Sequence, residues 1–259
     1  MFKNKFKAFF IHFLLSAVAV SLIFLAVVFV WFPSPFLGLT NFKDIATIVI
    51  AVDLVLGPLL TFVVFNPKKK SLKKDLAVIV SIQVFALSYG IYTLFLTHPV
   101  YIAYHGNAFS MVIAKQATPE KAMYEQLKVS KLSKPTFVYM ETNKETRDKL
   151  FTETINGGRD IEAHAEFYEP YENHIDTILD NSLDTVKLFE EKNLTASSKE
   201  FLEEYKERKN DFAYLPLIGT SRNAIIVLDK KTAEIVTTIN DDPWKFAKIN
   251  KESEKAKNN

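Results

Sequence analysis

Three apolar runs, Ala8 to Phe32, Ile45 to Phe65 and Leu76 to Leu96, occupy most of the first 96 residues. Each is long enough to cross a hydrocarbon layer of roughly 30 Å as a helix. Lys3, Lys5 and Lys7 precede the first run, and five lysines crowd the nine residues Asn66 to Lys74 between the second and third. Between the first and second stands only Lys43, beside Asp44. Because basic loops stay on the cytoplasmic side, this asymmetry predicts a cytoplasmic N-terminus and an exported segment from Thr97 onward. The first run is too long for a signal-peptide core and ends in Trp31-Phe32-Pro33-Ser34-Pro35-Phe36, so it reads as a retained anchor.

The predicted architecture is a three-helix transmembrane region over residues 1–96, a periplasmic α+β domain over 97–247, and a charged flexible tail over 248–259. Nine of the 32 basic and three of the 30 acidic residues lie in the first 96, leaving 23 basic and 27 acidic residues beyond. A weakly acidic exported domain gives no case for nucleic acid. The chain has no cysteine, which excludes disulfides, thiol catalysis and thiolate metal sites.

In the exported part, Tyr101–Tyr104 and Phe109–Ile113 flank His105-Gly106-Asn107-Ala108, a hairpin pattern. Thr118-Pro119-Glu120 predicts a helix to about Lys128. Thr136–Met140 reads as a strand and Asn143–Ile155 as a helix stopped by Gly157-Gly158. Asp160 to about Arg208 is predicted helical and charged, broken near Pro170 and around Asn193–Ser198. Strands return at Phe212–Ile218, Ala224–Leu228 and Glu234–Ile239, with a tight turn over Asp229–Thr232 and Trp244 packing across the last hairpin.

Asp53 is the one acid well inside an apolar run, and such a group faces protein, not lipid, by default. Gly57 and Thr61 follow at i+4 and i+8 on the same helical face. Pro58, which lacks an N–H, predicts a kink and a freed carbonyl that would accept the Gln83 amide. Helical rise puts Asp53 and His12 at different depths, with Ser88 or Tyr89 nearer the level of Asp53. Weaker small and polar stripes run through His12, Ser16 and Ala19 in the first span and Gln83, Ala86 and Gly90 in the third. Such faces let helices approach closely, either to satisfy one another within the bundle or to receive a partner's helix. A proton or ion path through three helices with one acid is the weakest of the readings.

No catalytic constellation emerges. His98, His105, His164 and His174 match no metal signature, and no cofactor motif is present. Gly219-Thr220-Ser221 lacks nucleophile-elbow spacing, and the acids from Glu190 to Glu207 read as a solvated helix face.

Trp31-Phe32-Pro33-Ser34-Pro35, Val52-Asp53-Leu54-Val55-Leu56-Gly57-Pro58-Leu59-Leu60-Thr61 and Phe65-Asn66-Pro67-Lys68 resemble the type IV pilin accessory proteins called TfpX/TfpZ, or FimB-like. The likeness continues through Asp75-Leu76, Gln83, Ala86-Leu87, Tyr89-Gly90, Leu215-Pro216-Leu217, Val227-Leu228-Asp229 and Pro243-Trp244. One departure is His98-Pro99 where the family pattern has Arg-Pro. The resemblance implies a non-enzymatic protein of the bacterial inner membrane that stabilises or helps assemble a cognate type IV pilin. Such a pilin is held in the bilayer by one apolar helix with its head in the periplasm, so a partner could touch both parts. Pilins of this class carry an acid and a free N-terminal amine at the outer end of that helix, which Asp53 is placed to meet. The candidate contact seam is therefore Asp53, Gly57, Pro58, Thr61, Gln83, Tyr89 and Gly90. The rivals are a membrane-anchored periplasmic sensor or scaffold, and a subunit of a glycan-transferring or transport complex. Oligomeric state is not legible.

Overall fold

The computed structural model describes residues 2–191 and 194–246. The 248–259 tail, and Asn193 of the expected helix break, lie outside the described residues. The chain divides into two compact units, Met1–His98 and Pro99–Asn259, each described by itself.

In the first unit, α1 (Phe2–Trp31) is followed by a 3₁₀ turn at Phe36–Leu39. The middle span is one continuous helix made of α2 (Phe42–Ile50), a π-helical turn at Ala51–Leu56, and α3 (Gly57–Val64). The third span is α4 (Leu72–Thr97). These three helices, of 30, 23 and 26 residues, are long and apolar enough to cross a membrane. Their outward side chains, among them Leu14, Leu22, Phe29, Val63 and Phe85, are large, apolar and exposed, as a lipid-facing surface requires. This is a membrane protein.

The middle span packs on both neighbours. At the end away from the lysines, Val27, Phe32 and Leu94 form a buried cluster with Trp31, Phe42 and Ile45 around it. There His98, which replaces the expected arginine, is fully buried, its ring stacked on Trp31 at 5.0 Å. At the lysine end Phe2, Phe6 and Phe9 surround Phe62. Lys5 Nζ donates to the Val63 carbonyl (3.0 Å), a cation meeting the carbonyl end of a helix.

The second unit is a mixed seven-stranded sheet with helices inserted between strands, as the α+β reading expects. The strands are β1 (Pro99–His105), β2 (Ala108–Ile113), β3 (Thr136–Met140), β4 (Tyr168–Pro170), β5 (Phe212–Ile218), β6 (Ala224–Asp229) and β7 (Ile235–Ile239). Their order is β4-β3-β1-β2-β5-β6-β7, with β1–β3 and β2–β5 parallel and the other pairs antiparallel. Gly106 (φ 58°) and Asn107 (φ 71°) are both left-handed, the two-residue turn that suits the twist of a hairpin. The helix α5 (Lys144–Ile155) starts at Asn143, whose side chain caps Thr146 N at 2.8 Å, and ends before Gly157 at φ 84°.

One sheet face presents Tyr101, Ala103, Val112 and Val138 to Leu150, Ala163 and Ala165. Further along, Phe212, Tyr214, Ile225 and Val227 meet Leu188, Leu202 and Phe246. The alternate residues Phe109 and Phe137 pack on Tyr171.

Three expectations are corrected. Thr118–Lys128 is not a helix but two 3₁₀ turns, Pro119–Lys121 and Glu125–Leu127, split where Ala122 turns extended. Both Ala122 and Leu127 are buried in the core, a five-residue spacing that no single helical face supplies. The stretch from Asp160 to Arg208 is helical only in short pieces, broken at Pro170 as expected. It holds 3₁₀ turns, β4, and the short helices α6 (Ile175–Asp180), α7 (Thr185–Glu190) and α8 (Ala196–Glu204). Pro170 sits in β4 because that strand is an edge and lacks an outer neighbour needing its N–H. Last, Trp244 is half exposed, and Phe246 fills the space expected for it.

Candidate functional site

The π-helical turn creates the site. The Gly57 N–H reaches back five residues to the Val52 carbonyl. That leaves the Asp53 carbonyl without its ordinary i+4 donor, and the next residue able to serve in the wider register is Pro58, which has no N–H. An orphan carbonyl in hydrocarbon is costly unless something donates to it. Gln83 Nε2 does so from α4, at 3.2 Å. The freed acceptor is thus Asp53 O, one residue before the Leu54 carbonyl that Pro58 would crowd in a regular helix.

Gly57 makes this possible by being glycine. A Cβ there would lie 2.1 Å from Gln83 Nε2. One turn nearer the lysines than Gly57, His12 Nδ1 and Thr61 Oγ1 are hydrogen-bonded at 2.6 Å, joining α1 to α3. His12 therefore pairs with Thr61, in keeping with its depth difference from Asp53.

Above this floor α1 and α4 stand apart, leaving a groove of about 270 Å³. His12, Ser16 and Ala19 form one wall, Val80, Gln83 and Leu87 the other, and Asp53 lies between. A second recess of about 550 Å³ shares His12, Leu15 and Val80 and continues to Lys7, Thr61 and Phe65. Asp53 is 3 % exposed and Gln83 8 %. Among the described residues, Asp53 Oδ2 and Gln83 Oε1 have no hydrogen-bond partner.

Asp53, Gly57, Thr61 and Gln83 therefore lie along one polar line, with Pro58 buried beside them. Gly90 is apart from it, packed on Val49, whose Cγ2 a Cβ would approach to 2.3 Å. Tyr89 is 72 % exposed and not among the groove residues; Gln83, not Tyr89, is the residue that reaches Asp53. The α1 stripe of His12, Ser16 and Ala19 carries more of the site than its sequence signal promised.

The second unit holds compact polar clusters of a different kind. His105 Nδ1 faces Glu162 Oε1 at 3.6 Å. Burial would push the Glu162 carboxyl up, but the hydrogen bond and charge of His105 outweigh it and hold the group below its usual range. Glu166, beside Arg159 and His164, is likewise held low against the opposing effect of burial. His174 pairs with Glu169 at 2.6 Å and stacks on Tyr139. Among the described residues no group of three or more His, Cys, Asp or Glu side chains is placed to hold a metal ion.

The profile of the family described as "Fimbrial assembly protein FimB" matches residues 1–40, which contain α1 and its groove wall. The fimbrial assembly protein of serogroups C1 and C2 from Dichelobacter nodosus is 39 % identical over 97 residues, 36 % of this chain and 73 % of that protein. This chain belongs to the FimB family. The serogroup I fimbrial assembly protein of the same organism is 26 % identical over 250 residues, covering 91 % of this chain and 95 % of its own. The serogroup E1 protein is 25 % identical over the same length and shares. No solved structure matches the chain. The FimB relatives thus align with both units, and the membrane groove is a feature of a FimB-family chain.

Proposed function

We propose that this protein is a non-enzymatic accessory factor in pilus assembly, lying in the bacterial inner membrane and stabilising or promoting assembly of a cognate type IV pilin. The relatives named fimbrial assembly proteins support the pathway. The observation that carries the mode of action is the groove between α1 and α4, floored by buried polar groups within a membrane region. Small and polar faces of this kind are where transmembrane helices associate. In the proposed topology the N-terminus and the lysine loop are cytoplasmic, and residues 97–247 form a periplasmic domain that meets the pilin head while the membrane seam meets its helix.

Alkaline phosphatase fused after Thr97 is expected to be active, and a fusion within Lys68–Lys74 inactive; the reverse pattern would overturn the orientation. Deleting the gene is expected to lower pilin protein without changing its transcript. Normal pilin abundance and normal surface pili in the deletion strain would refute the accessory reading.

A further inference from the structure

We infer that the groove between α1 and α4 seats one transmembrane helix of the partner, and that this helix presents a hydrogen-bond donor to Asp53 and Gln83. The inference rests on the accessory reading above for the partner's identity, and on the groove for its chemistry. Two facts combine. Asp53 Oδ2 and Gln83 Oε1 are buried oxygen atoms with no hydrogen-bond partner among the described residues, and both side chains line the groove. Within hydrocarbon an acceptor left alone is expensive, and no water is at hand to relieve it.

An occupant that brings a donor relieves that cost. A lipid acyl chain fills apolar space but has no donor. A single helix satisfies its own backbone and can carry a hydroxyl, amide or amine into the gap. Of the other polar groups, Thr61 is bonded to His12 and the Gln83 amide to the Asp53 carbonyl, while Ser16 adds a hydroxyl on the α1 wall. Polar recognition is thus carried by the Asp53 and Gln83 side chains, with the Ser16 hydroxyl on the opposite wall, and the apolar lining reads shape. Ser16 and Ala19 on the α1 wall are small, which leaves room for a helix to approach.

The test uses the full chain in its own membrane, with a diazirine amino acid placed at Ser16 or Leu87 in the groove, or at the lipid-facing positions Leu14 and Phe85. Cross-links to the cognate pilin are expected from Ser16 and Leu87 and not from Leu14 or Phe85. Asp53→Leu should cut the groove cross-links at least fivefold, whereas Asp53→Asn, which keeps an acceptor oxygen, should retain them. Should Asp53→Leu fail to accumulate, Ala19→Leu fills the groove without touching its floor and should abolish the Leu87 cross-link. Cross-links to lipid alone or to a second copy of this chain, or cross-links indifferent to Asp53, would overturn the inference. If the deletion strain loses pilin while the groove cross-links nothing, the accessory role stands and the docking inference falls. If pilin is unaffected by the deletion, the accessory reading fails first.

Discussion

Gln83 gives its amide hydrogen to the main-chain oxygen of Asp53, 3.2 Å away across two helices. The contact repairs a hydrogen bond that the π turn and Pro58 together remove from the middle span. It also fixes how close α4 can lie to Gly57.

Replacing Gln83 by Ala leaves that carbonyl unpaired. Interhelical hydrogen bonds in membranes are worth about 0.6–2 kcal/mol, which sets the expected loss of bundle stability, read by detergent unfolding followed with far-UV circular dichroism. Gly57→Ala should cost a similar amount, because its methyl displaces the flexible amide end of Gln83. The two changes share one interaction, so the double variant should lose no more than Gln83→Ala alone. Simple additivity would show that Gly57 serves something else.

Gly90 poses a stiffer problem. A methyl there meets Cγ2 of Val49 at 2.3 Å, on a β-branched side chain that has little rotational freedom in a helix. Gly90→Ala should destabilise by about 1–3 kcal/mol, the usual range for overpacking, and Val49→Ala should recover part of the loss in the same unfolding assay.

Acid should weaken the second unit. The Glu162 carboxyl is held below its ordinary 4.5 once folded, so the folded state binds its proton less readily than the unfolded one. Its contribution is whole above that value and disappears as pH falls below it toward the folded pKa. Protease resistance of the full chain is expected to decline in this acidic window. Glu162→Gln should flatten part of the decline, with Glu166 supplying the rest. An unaltered pH profile would remove His105–Glu162 from the account.

The hairpin turn offers a local test. Gly106 has φ 58° and open space around it, so alanine there meets only backbone strain. The expected cost is about 1–2 kcal/mol, measured as a lower thermal midpoint of the full chain.

Features set by neighbours in sequence were legible. Run length and lysine placement marked the spans, Asn143 and Gly157 bracketed α5, and Gly106-Asn107 announced the β1–β2 hairpin. Features set by distant partners were not. The strand β4 is three residues long and exists because β3 offers it an edge. Whether Trp244 or Phe246 enters the core depends on α7, whose Asp184 N–H meets the Phe246 carbonyl at 3.0 Å. In the membrane the polar positions were readable, but depth counting took no account of a long glutamine side chain or a π turn. Both were needed to bring Gln83 to Asp53 and not to a residue nearer the lysines.

The π turn has a consequence for helical phase. A helix that makes one wide turn carries one residue more than its α-helical neighbours need for the same rotation, and each residue is worth about 100° around the axis. Ala51–Leu56 therefore absorbs that extra residue and leaves in phase the half of the middle span that holds Val49 and the half that holds Thr61. Val49 meets Gly90 of α4, while Thr61 meets His12 of α1. Deleting one residue within Ala51–Leu56 would let the helix close into regular α register while Val49 and Thr61 keep their contacts, so that only the wide turn is lost. What the extra residue supplies is the wide turn itself, beside the Asp53 carbonyl that Gln83 reaches.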